Sequence, residues 1–496
     1  MFKKKNMFDF SSILTSRRST AAYLGSYFTM ENNGSFALCI LFLELALCWA
    51  YAMFVDYTGE SIGIVVENDF DRVRGTHVRK HLSSIYYYMF QDVHLTVVIG
   101  FGFLATFLKR YGNSSVVSTL LVVAITLQWA TLCQGFFQMQ RGKIHVSITN
   151  LVHADFATLA ILISFGAVLD LTTPTQLIIM AICEILCFAT NEYICLDILQ
   201  ISDVGVSMLV HVFAAYFGLT VSCVLRKNRP ERETVSITLP TSDLFAVIGI
   251  IFNVVLLKEI IFRWELLGTM FLWLFWPTLN ASLAQGDAQH RAVINTYYSL
   301  AASTVVTLAI SLSSLLDNKR SYTVQIQNSA LAGGVAIGTA ADMMIYPFGA
   351  IIVGCFAGLV SVLGVVVFTP GINRIFGIRD TNGVHNLHGL PGLISAFVGA
   401  IAAAFATEKN YNYTLYRLFP ARTPMVKTPD YWNLEHHVGN VVPGLARSAL
   451  SQGAYQIAAL GTTLAFAIFG GLITGFVLRL PLFNQRRRNN FINDEV

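Results

Sequence analysis

Val206-Ser207-Met208-Leu209-Val210-His211-Val212-Phe213-Ala214-Ala215-Tyr216-Phe217-Gly218 decides how the chain is read. It is an apolar run with a single ionisable residue, His211, near its middle. In hydrocarbon every backbone polar group needs an internal partner, which makes such a run a helix. Asp203 stands eight residues before His211, just over two turns, so the two side chains project within about 80° of one another. A carboxylate at a helix start is favoured by the free amides and the dipole there. Asp203 is therefore either a cap or a cation-attracting group at the mouth of a pathway, and both readings stay open.

The rest of the chain has the same character. Of 496 residues, 54% are hydrophobic and 12% charged, with a mean hydropathy of +0.58. Soluble domains carry about 25% charged residues, so polar residues are too few to cover soluble domains and the bilayer must be the solvent. The net charge of +4 comes from short basic clusters between apolar runs, not the continuous basic face that nucleic acid requires. Eight cysteines (Cys39, Cys48, Cys133, Cys183, Cys187, Cys195, Cys223 and Cys355) all fall in apolar stretches. They read as packing residues, since they form neither a disulfide framework nor a paired zinc pattern.

A membrane span needs about 20 mainly apolar residues. That ruler gives 35–56, 92–108, 114–137, 148–169, 175–199, 203–225, 242–283, 291–316, 326–345, 348–369, 384–405 and 454–478. The expectation is an all-α polytopic membrane protein of about 12 transmembrane helices. It divides into a cytoplasmic extension (1–34), a membrane domain (35–480) and a cytoplasmic tail (481–496). Lys109-Arg110, Arg226-Lys227 with Arg229, Lys319-Arg320, Arg374 with Arg379, and Arg486 to Arg488 alternate onto one side. The positive-inside rule then places both termini in the cytoplasm. Loops 57–91 and 406–453 face outward, and Asn412-Tyr413-Thr414 in the second is a glycosylation sequon. Recurrent glycines at 333–364 and 461–475 suit close helix packing.

Ionisable groups at bilayer depth are costly and invite a functional reading. Asp155, Asp203, His211 and His385 stand out, with Glu184, Glu192 and Asp342 behind them. His385 opens Val-His-Asn-Leu-His-Gly-Leu-Pro-Gly, and His388 follows one turn later. A lone intramembrane histidine is ordinarily an interhelical hydrogen-bond partner. Two in different helices raise the alternative that they face one another across a dry channel, where neutral imidazole both donates and accepts. A zinc site at His385 and His388 lacks a third and fourth ligand, so no metal is expected. No phosphate loop, HExxH or GxSxG motif is present, and an enzyme is not expected; nothing calls for a cofactor.

Several segments together resemble the Rh glycoproteins of the ammonium transporter/Rh family. They include Gln91-Asp92-Val93-His94, Gly100 to Leu104, Phe107 to Gly112, Gln128-Trp129-Ala130, Ala154-Asp155-Phe156 and Asn191-Glu192. Asp203 through His211, Phe271-Leu272-Trp273, Trp276-Pro277, Asn280, Gln327 to Val335 and Asp380 to Gly389 complete the set. The resemblance implies an 11-helix inverted-repeat bundle plus one N-terminal helix, assembled as a homotrimer in the plasma membrane with a hydrophobic pore in each protomer. It places His211 and His385 as the twin histidines of that pore, with Trp276, Asn280 and His388 beside it. It also makes Asp203 and Glu192 the recruiting or structural acids, and Phe156 one of two outer-gate phenylalanines. Ammonia and ammonium are then the substrates; a cytoskeletal adaptor at the tail is conceivable, though nothing in the tail specifies one.

Two departures stand out. Leu279 occupies the place of the second gate phenylalanine. Ile250–Gly268, with Lys258, Glu259, Arg263 and Glu265, interrupts the seventh span. Its charges are poor company for lipid, so it reads either as a folded-out extra segment or as a spurious insertion such as unspliced coding, the second being preferred; a genuine insertion would unsettle the placement of Trp276, Leu279 and Asn280 in the pore. The leading function is passage of ammonia through a dry pore. A neutral-gas (CO2) pathway and a non-conducting scaffold or ammonium sensor compete with it.

Overall fold

The computed structural model describes residues 33–58, 87–101, 112–169, 171–226, 264–312, 322–378, 380, 382–439, 441–480 and 483. Among them are twelve principal helices. The first half holds α1 (Asn33–Phe54), α2 (87–95, continued by a π turn Thr96–Phe101), α3 (Gly112–Phe136), α4 (Ile148–Val168), α5 (Pro174–Tyr193) and α6 (π turn Ser207–Val212, then Phe213–Arg226). The second holds α7 (Trp264–Ala281), α8 (Asp287–Leu312), α9 (Tyr322–Gly338), α10 (Tyr346–Leu363), α11 (π turn His385–Gly389, then Leu390–Ala404) and α12 (Ala449–Leu478). Nine of these, all but α2, α7 and α9, are long and apolar enough to cross a bilayer. This agrees with the expected polytopic all-α class.

Helix starts follow local chemistry. Ser147 and Asn150 satisfy each other's backbone at the head of α4, and Thr173 and Gln176 do the same for α5, with Pro174 at its first position. A short parallel ladder pairs Val55–Tyr57 with Ile144–Val146 and ties α1 to the loop before α4. The core is formed chiefly by α4 and α6, which are buried along most of their length. The outer helix α1 exposes Leu41, Phe42, Leu45 and Trp49, a face that suits lipid rather than water.

Hydrogen bonds sort the helix ends into two faces. Arg226 Nη1 donates to Asn373 Oδ1 at 3.2 Å and to Gly377 O at 3.3 Å, which puts it beside Arg374. The end of α12 joins the head of α5 through Gln176 Nε2 and Leu478 O at 2.9 Å. At the other ends, Arg447 Nη1 donates to Leu199 O (2.8 Å) and Gln452 Nε2 to Gln200 O (3.0 Å). Lys109-Arg110, Lys319-Arg320 and Arg486 to Arg488 lie outside the described residues, as do the extension up to residue 32 and residues 484–496.

Residues 227–263, and with them most of Ile250–Gly268, also lie outside the described residues. Trp264–Ala281 is one helix, and it carries Trp276, Leu279 and Asn280 fully buried into the core.

Candidate functional site

The site is built where two helices with the same construction run past each other in opposite directions. Before α6 the backbone breaks at Asp203, whose Oδ2 accepts from the amides of Met208 (3.0 Å) and Leu209 (2.9 Å). Its Oδ1 accepts from Thr339 Oγ1 at 2.6 Å. Before α11, Asp380 accepts from the amides of Val384 and His385, both at 2.8 Å. Each carboxylate thus satisfies amides that the first helical turn leaves free. Each is followed by a π turn, and each lies eight residues before a histidine, His211 or His388. The two intervals are equal in residues and alike in construction, a non-helical lead followed by a π turn, so both histidines stand at the same remove from their caps.

Antiparallel packing brings them together. A Cβ on Gly392 would lie 3.0 Å from Ser207 O, while further along Tyr216 meets His385 edge to face at 5.9 Å. Between these contacts His211 Nδ1 lies 2.9 Å from His388 Nδ1, with the rings 5.0 Å apart and 6° from parallel. This corrects the expectation that His385 is the partner. Where two helices run antiparallel, the residue one turn nearer the start of α11 meets the residue one turn further along α6, which is Tyr216. His385 Nδ1 is buried with no hydrogen-bond partner.

Apolar rings enclose the pair. Trp276 stacks on His211 at 5.8 Å, and Phe101 lies 5.8 Å from His388 and 6.3 Å from Trp276. Gly334 makes room for the indole, since a Cβ there would meet Trp276 Nε1 at 2.7 Å. A narrow cavity lined by Phe101, Leu162, Ile163, Gly166, Val384 and Leu387 ends on His388. His211 and His388 are 0% and 2% exposed, so no bulk water solvates them.

The remaining expected residues divide. Phe156 and Leu279 are buried in the same apolar core. Asn280 braces helices, donating to Thr296 Oγ1 and Gly334 O, both at 3.0 Å. Asp203 has the geometry of a cap, with both oxygens engaged. Glu192 is engaged by Gln134 Nε2 at 2.7 Å and lies 3.3 Å from His153 Nδ1. Among the described residues no three His, Cys, Asp or Glu side chains group as a metal site would require. Asp380 and Phe101 were not singled out from sequence. The repeated eight-residue Asp–His interval is the signal that would have found Asp380, and would have favoured His388 over His385.

The family model described as Ammonium Transporter Family matches residues 64–255 and 262–490, breaking within the interrupted seventh span. The chain belongs to the ammonium transporter family. It is 44% identical over 464 residues to the ammonium transporter Rh type B of Xenopus tropicalis, covering 92% of this chain and 91% of that one. The Mus musculus Rh type B protein is 42% identical over 465 residues, with the same coverage. Among solved structures, Nitrosomonas europaea Rh50, described as one of the Rhesus protein family of channels, aligns with a TM-score of 0.61 at 28% identity, over 81% of this chain and 89% of that one. Saccharomyces cerevisiae Mep2 shares the fold, with a TM-score of 0.56 at 17% identity over 82% and 87%. Membership of this family accords with a multi-pass membrane protein and with the nine apolar helices.

Proposed function

We propose that this member of the ammonium transporter family passes ammonia, net of ammonium deprotonated at the entrance, through a dry path centred on His211 and His388. The observation that carries the reading is the Nδ1–Nδ1 contact of 2.9 Å inside an apolar enclosure. For two nitrogens of this kind to bond, one donates and the other accepts, so the rings hold opposite tautomers. One outer Nε2 then bears a proton and the other a lone pair. Ammonia, which both donates and accepts, can be passed between them. Carbon dioxide only accepts, and this asymmetry favours ammonia over the neutral-gas reading.

Charge supplies the selectivity. A bare cation in such a place meets a desolvation cost of many kcal/mol, while neutral ammonia does not. Sodium and potassium cannot become neutral, whereas ammonium can by leaving a proton behind. Phe156 and Leu279 form the outer constriction in this reading, with the smaller Leu279 giving a wider opening. The protein works as a homotrimer in the plasma membrane, as the family resemblance implies, and the distribution of its basic clusters supports both termini being cytoplasmic. Asn412 is exposed and carries glycan in this orientation; unchanged gel mobility of Asn412→Gln against the native chain would remove that assignment.

The test is reconstitution into liposomes with internal pH followed by stopped flow after an ammonium chloride jump. Native protein is expected to alkalinise the lumen faster than empty vesicles, and a His211→Leu/His388→Leu pair to change that rate. Native trimers that insert correctly yet match empty vesicles would overturn conduction and leave the scaffold or sensor role.

A further inference from the structure

A histidine–carboxylate pair outward of the two central histidines serves no step described so far. His94 Nδ1 is 2.8 Å from Asp155 Oδ1. Asp155 is 0% exposed and its Oδ2 has no hydrogen-bond partner, while the His94 side chain is 41% exposed. An ionised carboxylate only accepts, so Nδ1 carries the hydrogen and Nε2 of the neutral ring holds the lone pair. The ring, stacked on Phe90 at 5.6 Å, is therefore oriented as a base.

Two helix faces place this base on the path. On α2, His94 stands just before the π turn Thr96–Phe101, and Phe101 at its end touches His388. On α4, Asp155, Leu162 and Gly166 follow at steps of seven and four, a single face, and the latter two line the cavity that ends on His388. Phe156 is the next residue after Asp155. Thr278, next to Leu279, lies against the carboxylate of Asp92, two residues from His94. The pair thus stands at the level of the outer constriction, on the side facing the path.

We propose that His94, oriented by Asp155, accepts the proton of ammonium at the outer mouth, so that ammonia alone goes inward. This rests on the conduction reading above. One N–H bond of ammonium breaks, its electron pair stays on the nitrogen, and the proton passes to Nε2 of His94. The imidazolium, paired with the buried carboxylate, then returns the proton to external water, so one ammonia enters and one proton remains outside. The charged group facing His94 is Asp155 from α4; Asp92, two residues earlier on its own helix, turns to Thr278 instead. The single charged residue of α7, Glu265, is in its first turn, at the opposite end from Thr278.

The experiment uses the whole protein in liposomes, holding external ammonia constant while external ammonium is raised by lowering pH from about 8 to about 7, above the ordinary histidine range. The native rate is expected to rise about threefold or more with ammonium. In His94→Gln, whose amide still donates to Asp155, the ammonium-dependent part is lost and the rate follows ammonia. Asp155→Asn donates to Nδ1, which moves the ring hydrogen to Nε2 and gives the same loss, and Asp155→Glu restores the dependence. Native ammonium dependence in His94→Gln would overturn the proposal. Native protein no faster than empty vesicles would instead overturn conduction itself. Should the variants fail to insert, the rate of carbethoxylation at His94 by diethyl pyrocarbonate is read by peptide mass in native protein. Slowing by ammonium chloride but not by potassium chloride supports the proposal, and equal effects of the two salts overturn it.

Discussion

Replacing His388 by leucine tests the pairing most directly, because leucine nearly fills the space and removes only the ring chemistry. His211 Nδ1 would lose its partner at 2.9 Å in a site that water does not reach, at a cost of about 1–3 kcal/mol. Loss of the contact between His388 and Phe101, 5.8 Å between centroids, adds about 0.5–1 kcal/mol. Removing His211 as well abolishes the orphaned nitrogen. The double variant is therefore less damaged than the two singles added together, with a coupling of about 0.5–3 kcal/mol. The same cycle between His211 and His385 should give a coupling near zero, since the structure joins His385 to Tyr216 instead. Thermal unfolding of detergent-solubilised protein reads the cycle, at about 2 °C or less per kcal/mol for a chain of this length. Vesicle flux is measured in parallel and should fall in His388→Leu while His385→Leu stays close to native. Strong coupling of His211 to His385, with none to His388, would refute the antiparallel register on which the site is built.

Three other outcomes are expected. Gly334→Ala drives a methyl into Trp276 at 2.7 Å, so it should cost about 1–3 kcal/mol and shift the indole fluorescence; an unchanged spectrum and melting point would show that the indole has room. Asp203→Asn exchanges one oxygen acceptor for a donor facing amides that need acceptors, and about 1–3 kcal/mol of stability should be lost. The reading of Asp203 as a cap fails if that variant melts like the native protein while flux collapses. Leu279→Phe enlarges a residue that is already fully buried; methylammonium uptake should fall more than ammonia flux, and an equal change in both would separate Leu279 from the constriction.

Much of this architecture was legible because hydrocarbon imposes a simple length rule. Runs of apolar residues marked α1, α3 to α6, α8 and α10 to α12 with little ambiguity, and the place of Asp203 before the His211 run made a cap one of its two readings. The partner of His211 was not legible in the same way. His385 and His388 share one turn, and composition alone treats them alike. Which of them meets His211 depends on where α11 crosses α6, a tertiary fact; yet the interval from Asp380 to His388, equal to that from Asp203 to His211, encodes the crossing. Sequence left Glu192 open between a recruiting and a structural acid, because Gln134 and His153, which come to it from α3 and α4, are distant in the chain. The seventh span resisted reading for a different reason, since charges at Lys258, Glu259 and Arg263 obscure where α7 begins.

The two capped helices carry a further consequence. Each has its positive dipole end and its neutralising aspartate the same eight residues before its histidine, one on either side of the membrane's middle. Reversing the direction of travel leaves the sequence of fields met along the way almost unchanged. Between the two caps the path therefore has no built-in rectifier, and any asymmetry between the two directions comes from the mouths, where His94 and Asp155 stand on one side alone.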